Sequence, residues 1–306
     1  MNKKTFQKEL RGIIYAAFSG IFYGSLGYYG FSLVNENFTI SDMLFWRFFI
    51  ASIFLIPLLF IKGTWHSASL FKIFLLFILG TAVYGVGSWC FFIAAKSIGT
   101  GLAMVIFFSF PLFVVLFDWL FHRQPVGFIT FASIGIILIG LVLLADHGSG
   151  TLTLSGFALA ILSGLGYAIY VMVGKKVEVS PLLSTFLLCT GSTVLFMFMA
   201  FYERGEWFLP LPPDWFSAVM LGLLCTLLPI LLLLKAMQTI SATKASILGV
   251  LEPVATVIIG ILFLEEKITN QQWLGIAIVL AGALFLQCIP MLIGSDFRLS
   301  KPRANL

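Results

Sequence analysis

Apolar residues fall in long runs at about 12–34, 43–61, 71–93, 100–121, 126–144, 154–174, 182–202, 215–239, 244–264 and 272–292, with short polar stretches between them. All but the shortest reach ~20 residues, the length a helix needs to cross a bilayer core. The runs lack the period-two alternation of barrel strands. In lipid, only a helix satisfies its own backbone hydrogen bonds without closing into a barrel. The pattern predicts an all-α polytopic membrane protein with ten transmembrane helices. Lys3, Lys4, Lys8 and Arg11 precede the first run much as charges precede the core of a signal peptide. The length of that run and its lack of an Ala-x-Ala cleavage site predict a retained first crossing.

Composition narrows the class. Of the 306 residues, 60% are hydrophobic and 10% charged, against about 25% charged in a soluble domain. So few charges could not cover so much apolar surface in water. A cytosolic enzyme, a secreted disulfide scaffold and a disordered chain are excluded. Cys90, Cys189, Cys225 and Cys288 each lie in an apolar run without CxxC spacing, so they read as small buried hydrophobes.

The net charge of +5 is dispersed between the runs, which points to orientation and not to nucleic acid. With the N-terminus in the cytoplasm and strict alternation, 14 of the 18 Lys and Arg lie inside. Lys96, Arg204 and Lys267 lie outside, and Arg47 falls within the second run. That asymmetry follows the positive-inside rule and places both termini in the cytoplasm. An odd number of helices would destroy it.

The chain also repeats itself. At an offset of 144, Gly12, Ala16, Ser19, Gly20, Tyr23 and Gly30 meet Gly156, Ala160, Ser163, Gly164, Tyr167 and Gly174. At an offset of 142, Ala94, Ile98, Ala103, Pro111, Val115, Phe121 and Gly140 meet Ala236, Ile240, Ala245, Pro253, Val257, Phe263 and Gly282. Five helices per half is an odd number, so the halves, 1–147 and 148–306, are expected to be inverted repeats joined by a linker at 145–153. Secondary transporters use this arrangement, with substrate bound near the midplane between the halves.

Several stretches resemble the EamA family of the drug/metabolite transporter superfamily in its ten-helix form. They are WRFFIAS in the second run, IGTGLAMVIFFSFPLF in the fourth, and ISATKASILGVLEPVATVIIGILFLEEKITNQQWLGIAIVLAGALFL across the ninth and tenth. The most specific features are Glu252-Pro253, Glu265-Glu266, Gly275 and Gly282. The resemblance covers nearly the whole chain. It implies a multi-pass protein of the bacterial cytoplasmic (inner) membrane that moves small metabolites, often exporting amino acids or related compounds. The first half departs from the pattern, with His122-Arg123 where a glutamate is common.

Candidate site residues follow from depth. Glu252 lies near the middle of the ninth run, where a charge costs about 2.5–3.5 kcal/mol on insertion scales. Three roles are open to it: accepting hydrogen bonds from backbone opened by Pro253, contacting substrate, or coupling to protons. Lys235, six residues after Pro229, either snorkels to the inner headgroups or lends a cation to the inner edge of a cavity. Arg47, about one turn inside the second run, reads as a snorkelling or helix-end residue, and Asp118 as a solvated interfacial charge. Tyr23 and Tyr167 are repeat-related and sit among small residues that let helices pack closely. The third run is unusually polar for its depth, with Thr81, Tyr84, Gly85, Gly87, Ser88 and Trp89. Pro111, Pro229 and Pro253 are expected to break helices and mark the gating region. Trp65, Trp207, Trp215 and Trp273 read as an interfacial belt.

His66, His122 and His147 all lie in loops, and HExxH, GxSxG with a partner histidine, and phosphate-binding glycine motifs are missing. An enzyme reading therefore has no catalytic residues to stand on. No cofactor and no metal are implied. The expected partners are a small-molecule metabolite and the lipid bilayer, with protons a candidate coupling ion; monomer and dimer both remain open. Few buried charges disfavour a nucleotide sugar, whose phosphates would require several Arg or Lys. Export is the expected direction, and a metabolite uptake exchanger of the same fold is the alternative. A channel, receptor or scaffold is the alternative of another class.

Overall fold

The computed structural model describes residues 3–35, 37–64, 68–122, 127–144, 153–206, 209–264 and 269–292. Among them the regular elements are all helical. The sequence-level features at Trp65, His66, Arg123, residues 145–152 of the expected linker, His147, Trp207 and 265–268 lie outside the described residues, as do the side chains of His122 and Cys288.

Among the described residues, seven helical segments are long and apolar enough to cross a membrane: Ile40–Lys62, Leu70–Ile98, Thr100–Phe121, Leu154–Lys176, Pro181–Arg204, Trp215–Met237 and Ala242–Phe263. Phe128–Leu144 and Asn270–Phe285 are shorter apolar helices. The chain is a multi-pass membrane protein.

Local chemistry sets the boundaries. The first run divides into α1 (Lys3–Tyr23) and α2 (Leu26–Leu33), so the helix begins well before the apolar run does. Thr39 caps α3 (Ile40–Lys62) through a reciprocal box with Asp42, which satisfies backbone donors that a helix start leaves free. The third run holds α4 (Leu70–Ile78), a π-helical segment Leu79–Gly85, and α5 (Val86–Ile98). The fourth splits into α6 (Thr100–Phe107) and α7 (Phe110–His122) just before Pro111, which has no N–H to continue the ladder. α8 (Phe128–Leu144) completes the first half.

The second half follows the same plan. α9 (Leu154–Lys176) is capped by Thr153, and α10 (Pro181–Arg204) by Ser180 with Pro181 in its first turn. Next come α11 (Trp215–Gly222), a second π-helical segment Leu223–Leu227, and α12 (Leu228–Met237) with Pro229 in its first turn. The ninth run splits into α13 (Ala242–Leu248) and α14 (Leu251–Leu264), two residues ahead of Pro253. α15 (Asn270–Leu292) is last.

These irregularities recur at the spacing found in the sequence. The helix break at Phe108-Ser109 meets that at Gly249-Val250 at an offset of 141, and both halves carry a π-helical segment in the same helix. α3 and α10 end on left-handed glycines, Gly63 (φ 59°) and Gly205 (φ 74°), 142 residues apart. Only glycine adopts that conformation without strain. Proline alone does not dictate a break, for Pro57 lies inside the continuous α3.

Glycines set the packing. α1 lies on α12, α13 and α14, and α9 lies on α5, α6 and α7. In α1, Gly20 approaches the Gly249 carbonyl at the α13–α14 break; its repeat partner Gly164 in α9 approaches the Phe107 carbonyl at the α6–α7 break. A Cβ at these glycines would fall 3.2 and 2.8 Å from those oxygens. α8 and α15 cross at Gly140 and Gly275, each backbone against the other. Gly27 of α2, by contrast, has open space around it. Cys90, Cys189 and Cys225 are buried free thiols.

Candidate functional site

A cavity with about 470 Å³ of atom-free space opens where helices of both halves meet. Tyr23 of α1, Arg47 of α3, Tyr84 of the first π segment, Tyr167 of α9 and Glu252 of α14 all reach it. Leu26, Gly87, Ser88, Phe91, Phe92, Phe107 and Ser163 complete its wall. The centre of a water molecule can enter only about 40 Å³ of that space, room for ~3 waters. A metabolite larger than that requires the walls to part.

Its aromatic side is tightly built. The Tyr23 and Tyr84 hydroxyls share a 2.8 Å hydrogen bond. Tyr167 meets Phe110 edge-on with ring centroids 4.7 Å apart and Phe107 at 5.5 Å. Tyr170 packs edge-on to Tyr84 at 4.9 Å. Edge-to-face contacts at these distances are favourable ring geometry. Tyr170 is fully buried, and its hydroxyl has no hydrogen-bond partner among the described residues.

Both charged groups come from helices with specific local reasons to hold them there. Arg47 is 2% exposed. Its Nε donates to Thr226 Oγ1 at 2.8 Å, and Thr226 in turn donates to the Leu221 carbonyl at 2.8 Å, five residues back across the second π segment. The guanidinium lies 4.9 Å from the centre of the Phe48 ring, within cation–π range. Glu252 follows the α13–α14 break. Its backbone N–H donates to the Gly249 carbonyl at 2.9 Å, while among the described residues its carboxylate has no hydrogen bond or ion pair. Arg47 and Glu252 face one cavity without pairing to each other.

The candidates expected from sequence therefore divide. Tyr23, Tyr84, Tyr167 and Glu252 come together. Trp89 does not line the cavity: it sits one residue past Ser88 on α5, so the helix turns it aside to pack half-buried against the core. Lys235 lies in the last turn of α12, half-buried and away from the cavity. Pro111, Pro229 and Pro253 each stand within the first turn of a helix that follows a break or a π segment. The open backbone at Pro253 does not bind the Glu252 side chain. Arg47 is the residue that sequence reasoning misplaced. The Thr39 cap starts α3 earlier than the apolar run, which puts Arg47 about two turns into the helix, where it is enclosed by protein at the cavity. Asp118, expected to be solvated, accepts a hydrogen bond from Thr243 at 3.1 Å. Trp215 and Trp273 are about half exposed, as belt residues are.

Known proteins place this architecture. A solved crystal structure superposes with a TM-score of 0.78 at 14% identity, covering 93% of this chain and 99% of that one, a likeness of fold. The uncharacterized transporter YxxF of Bacillus subtilis is 26% identical over 282 residues, spanning 90% of this chain and 89% of that protein. The threonine/homoserine exporter RhtA of Escherichia coli K12 is 27% identical over 216 residues, 66% of this chain and 68% of that protein. The model of the EamA-like transporter family matches twice, at residues 10–145 and 154–288. With the two matches covering most of its length, the chain belongs to the EamA-like transporter family.

Proposed function

We propose that this chain is a secondary transporter that carries a small amphipathic metabolite, an amino acid or a related compound, across the bacterial cytoplasmic membrane by alternating access, in the direction of export. The observation that carries this reading is the cavity between the halves, faced by a guanidinium and a carboxylate that have no ion-pair partner among the described residues. Charges at such depth are costly and accompany substrate or ion paths.

The proposal includes ten crossings arranged as two inverted five-helix repeats, 1–147 and 148–306. The matched helix breaks, π segments and glycine ends support it, as do the paired family matches. Interrupted helices at corresponding positions of two halves accompany the binding site in repeat transporters. The distribution of basic residues supports a cytoplasmic position for both termini.

In this orientation, different contacts close the two ends. At the inner end Lys244 Nζ pairs with Glu9 Oε1 at 2.5 Å, and Lys175 donates to the Met237 and Ile240 carbonyls. At the outer end Ser97 and Thr153 share a 3.0 Å hydroxyl bond. Thr153 is the counterpart of Glu9 at an offset of 144. Rocking one half against the other would break one set while keeping the other. Export of amino acids is supported by the likeness to a threonine/homoserine exporter. Glu252 is the carboxylate through which a proton would couple.

Counterflow tests the reading. Proteoliposomes holding the full chain and preloaded with an unlabelled solute are expected to take up the labelled solute several-fold faster than empty ones. A panel of amino acids and related metabolites supplies the solutes, with pH gradients imposed and abolished to reveal proton coupling. Equal rates for loaded and empty vesicles across the panel would sink the carrier reading in favour of a channel or scaffold.

A further inference from the structure

The cavity presents one cation and one anion that do not touch. A ligand that offers each group an opposite charge offsets the desolvation that an unpaired charge would suffer in a low-dielectric setting. We propose that these groups read the two ends of a zwitterion, Arg47 holding a carboxylate and Glu252 an ammonium, so that the substrate class is amino acids with uncharged side chains. The proposal rests on the transporter reading above.

Three observations carry it. First, Thr226 holds Arg47 by its Nε, which leaves the terminal N–H donors of the guanidinium without a protein acceptor among the described residues and fixes the plane of the fork. A planar fork of N–H donors matches the two oxygens of a carboxylate. Second, Glu252 has a free carboxylate on the same cavity, which complements an ammonium donor. A ligand carrying both groups satisfies both charges at once; one carrying a single charge leaves the other desolvated and unpaired. Third, neither charge is part of the repeat. At an offset of 142, Arg47 corresponds to Cys189 and Glu252 to Phe110, so the equivalent positions of the other half do without them.

The rest of the wall limits the side chain. Tyr23, Phe91, Phe107 and Tyr167 offer apolar faces and hydroxyls, and no further Asp, Glu, Lys or Arg lines the cavity among the described residues. A third charge on the ligand would find no partner, and this absence gives specificity by exclusion.

Ligand binding to the purified full-length protein tests the pairing through the rise in its thermal unfolding midpoint. The probes are L-threonine and four matched compounds: L-phenylalanine, L-phenylalaninamide, phenethylamine and 3-phenylpropionate. For the wild type, at least one zwitterion is expected to bind roughly tenfold or more tightly than any compound lacking one charge. Arg47→Gln should erase the preference for L-phenylalanine over its amide and over phenethylamine, while keeping the preference over 3-phenylpropionate. Glu252→Gln should do the reverse, and Arg47→Lys should keep the wild-type order. Should a charge-removed variant fail to fold, the wild-type series decides alone. Wild-type preference for a singly charged compound, or equal loss for all compounds in both variants, would overturn the zwitterion assignment. Counterflow of some other solute would then leave the transporter reading standing; absence of counterflow for every solute would bring down that reading itself.

Discussion

Asp42→Ala should lower the stability of the folded protein by about 3 kcal/mol, the scale on which removing one partner of a buried ion pair acts. Asp42 is fully buried. Its carboxylate accepts from the Thr39 backbone N–H at 2.7 Å and from Thr39 Oγ1 at 3.0 Å, so it closes the cap of α3. It also pairs with the Arg204 guanidinium at the end of α10, with Nε to Oδ1 at 3.2 Å. Arg204 fastens the same corner by donating to the Asn37 carbonyl, while Glu203 accepts from Ser41 at 2.6 Å. Loss of the cap alone costs about 0.5–2 kcal/mol. Because Arg204 is partly exposed, solvent screens its share of the pair, which keeps the estimate at the low end of the buried-pair range. The expected fall in thermal midpoint is roughly 5 °C. Asp42→Asn keeps an acceptor for the cap and should fall between alanine and wild type. Wild-type stability of Asp42→Ala would show that the corner does not hold α3 to α10.

Gly191→Ala should be more damaging than one methyl group suggests. A Cβ there would fall 2.3 Å from the Phe77 carbonyl oxygen, and one at Gly80 would fall 2.4 Å from the Leu188 carbonyl oxygen. α10 and the first π segment thus touch through bare backbone, and Ser192 Oγ donates to the Gly80 carbonyl at 2.9 Å. Backbone atoms held by their own hydrogen bonds cannot move aside as a side chain end can. The helices must separate, at a cost of about 1–3 kcal/mol or more for overpacking. The same movement carries Tyr84 away from Tyr23, so transport should fall more steeply than folded yield. Gly135→Ala is the control: nothing lies within 4 Å of the added atom, so folding and transport should be unchanged. A Gly191→Ala variant that transported at the wild-type rate would remove the argument that this crossing positions the cavity.

Much of the frame is legible in the sequence because lipid imposes it. Apolar runs mark helices, and the recurrence of Ser19, Gly20 and Tyr23 at Ser163, Gly164 and Tyr167 gave the frame of correspondence in which the breaks and π segments later fell. The prolines pointed to the places where backbone opens, although each lies just after the irregularity and not at its centre. The π segments left no signal of their own, because a one-residue change in hydrogen-bond spacing alters no hydropathy. Tertiary contact was the harder part. Trp89 and Ser88 are adjacent in the chain, yet the turn of α5 brings only Ser88 to the cavity. Arg47 looked superficial because its depth was measured from the end of the apolar run. Thr39 and Asp42, polar residues counted as loop, in fact start the helix. The self-comparison held the missing clue: Arg47 falls opposite Cys189 and Glu252 opposite Phe110, the places where the repeat is broken by charge.

The most direct test of alternate access to this cavity is chemical labelling at Ser88, which lines it and donates to the Tyr84 carbonyl at 2.9 Å. Ser88→Cys, placed in a chain whose four native cysteines are alanine, would be exposed to a membrane-impermeant thiol reagent from each face of sealed vesicles in turn. The account predicts labelling from either face, with a transported substrate shifting the balance between the two rates. Labelling from one face alone under every condition, or from both at rates indifferent to every transported solute, would contradict it.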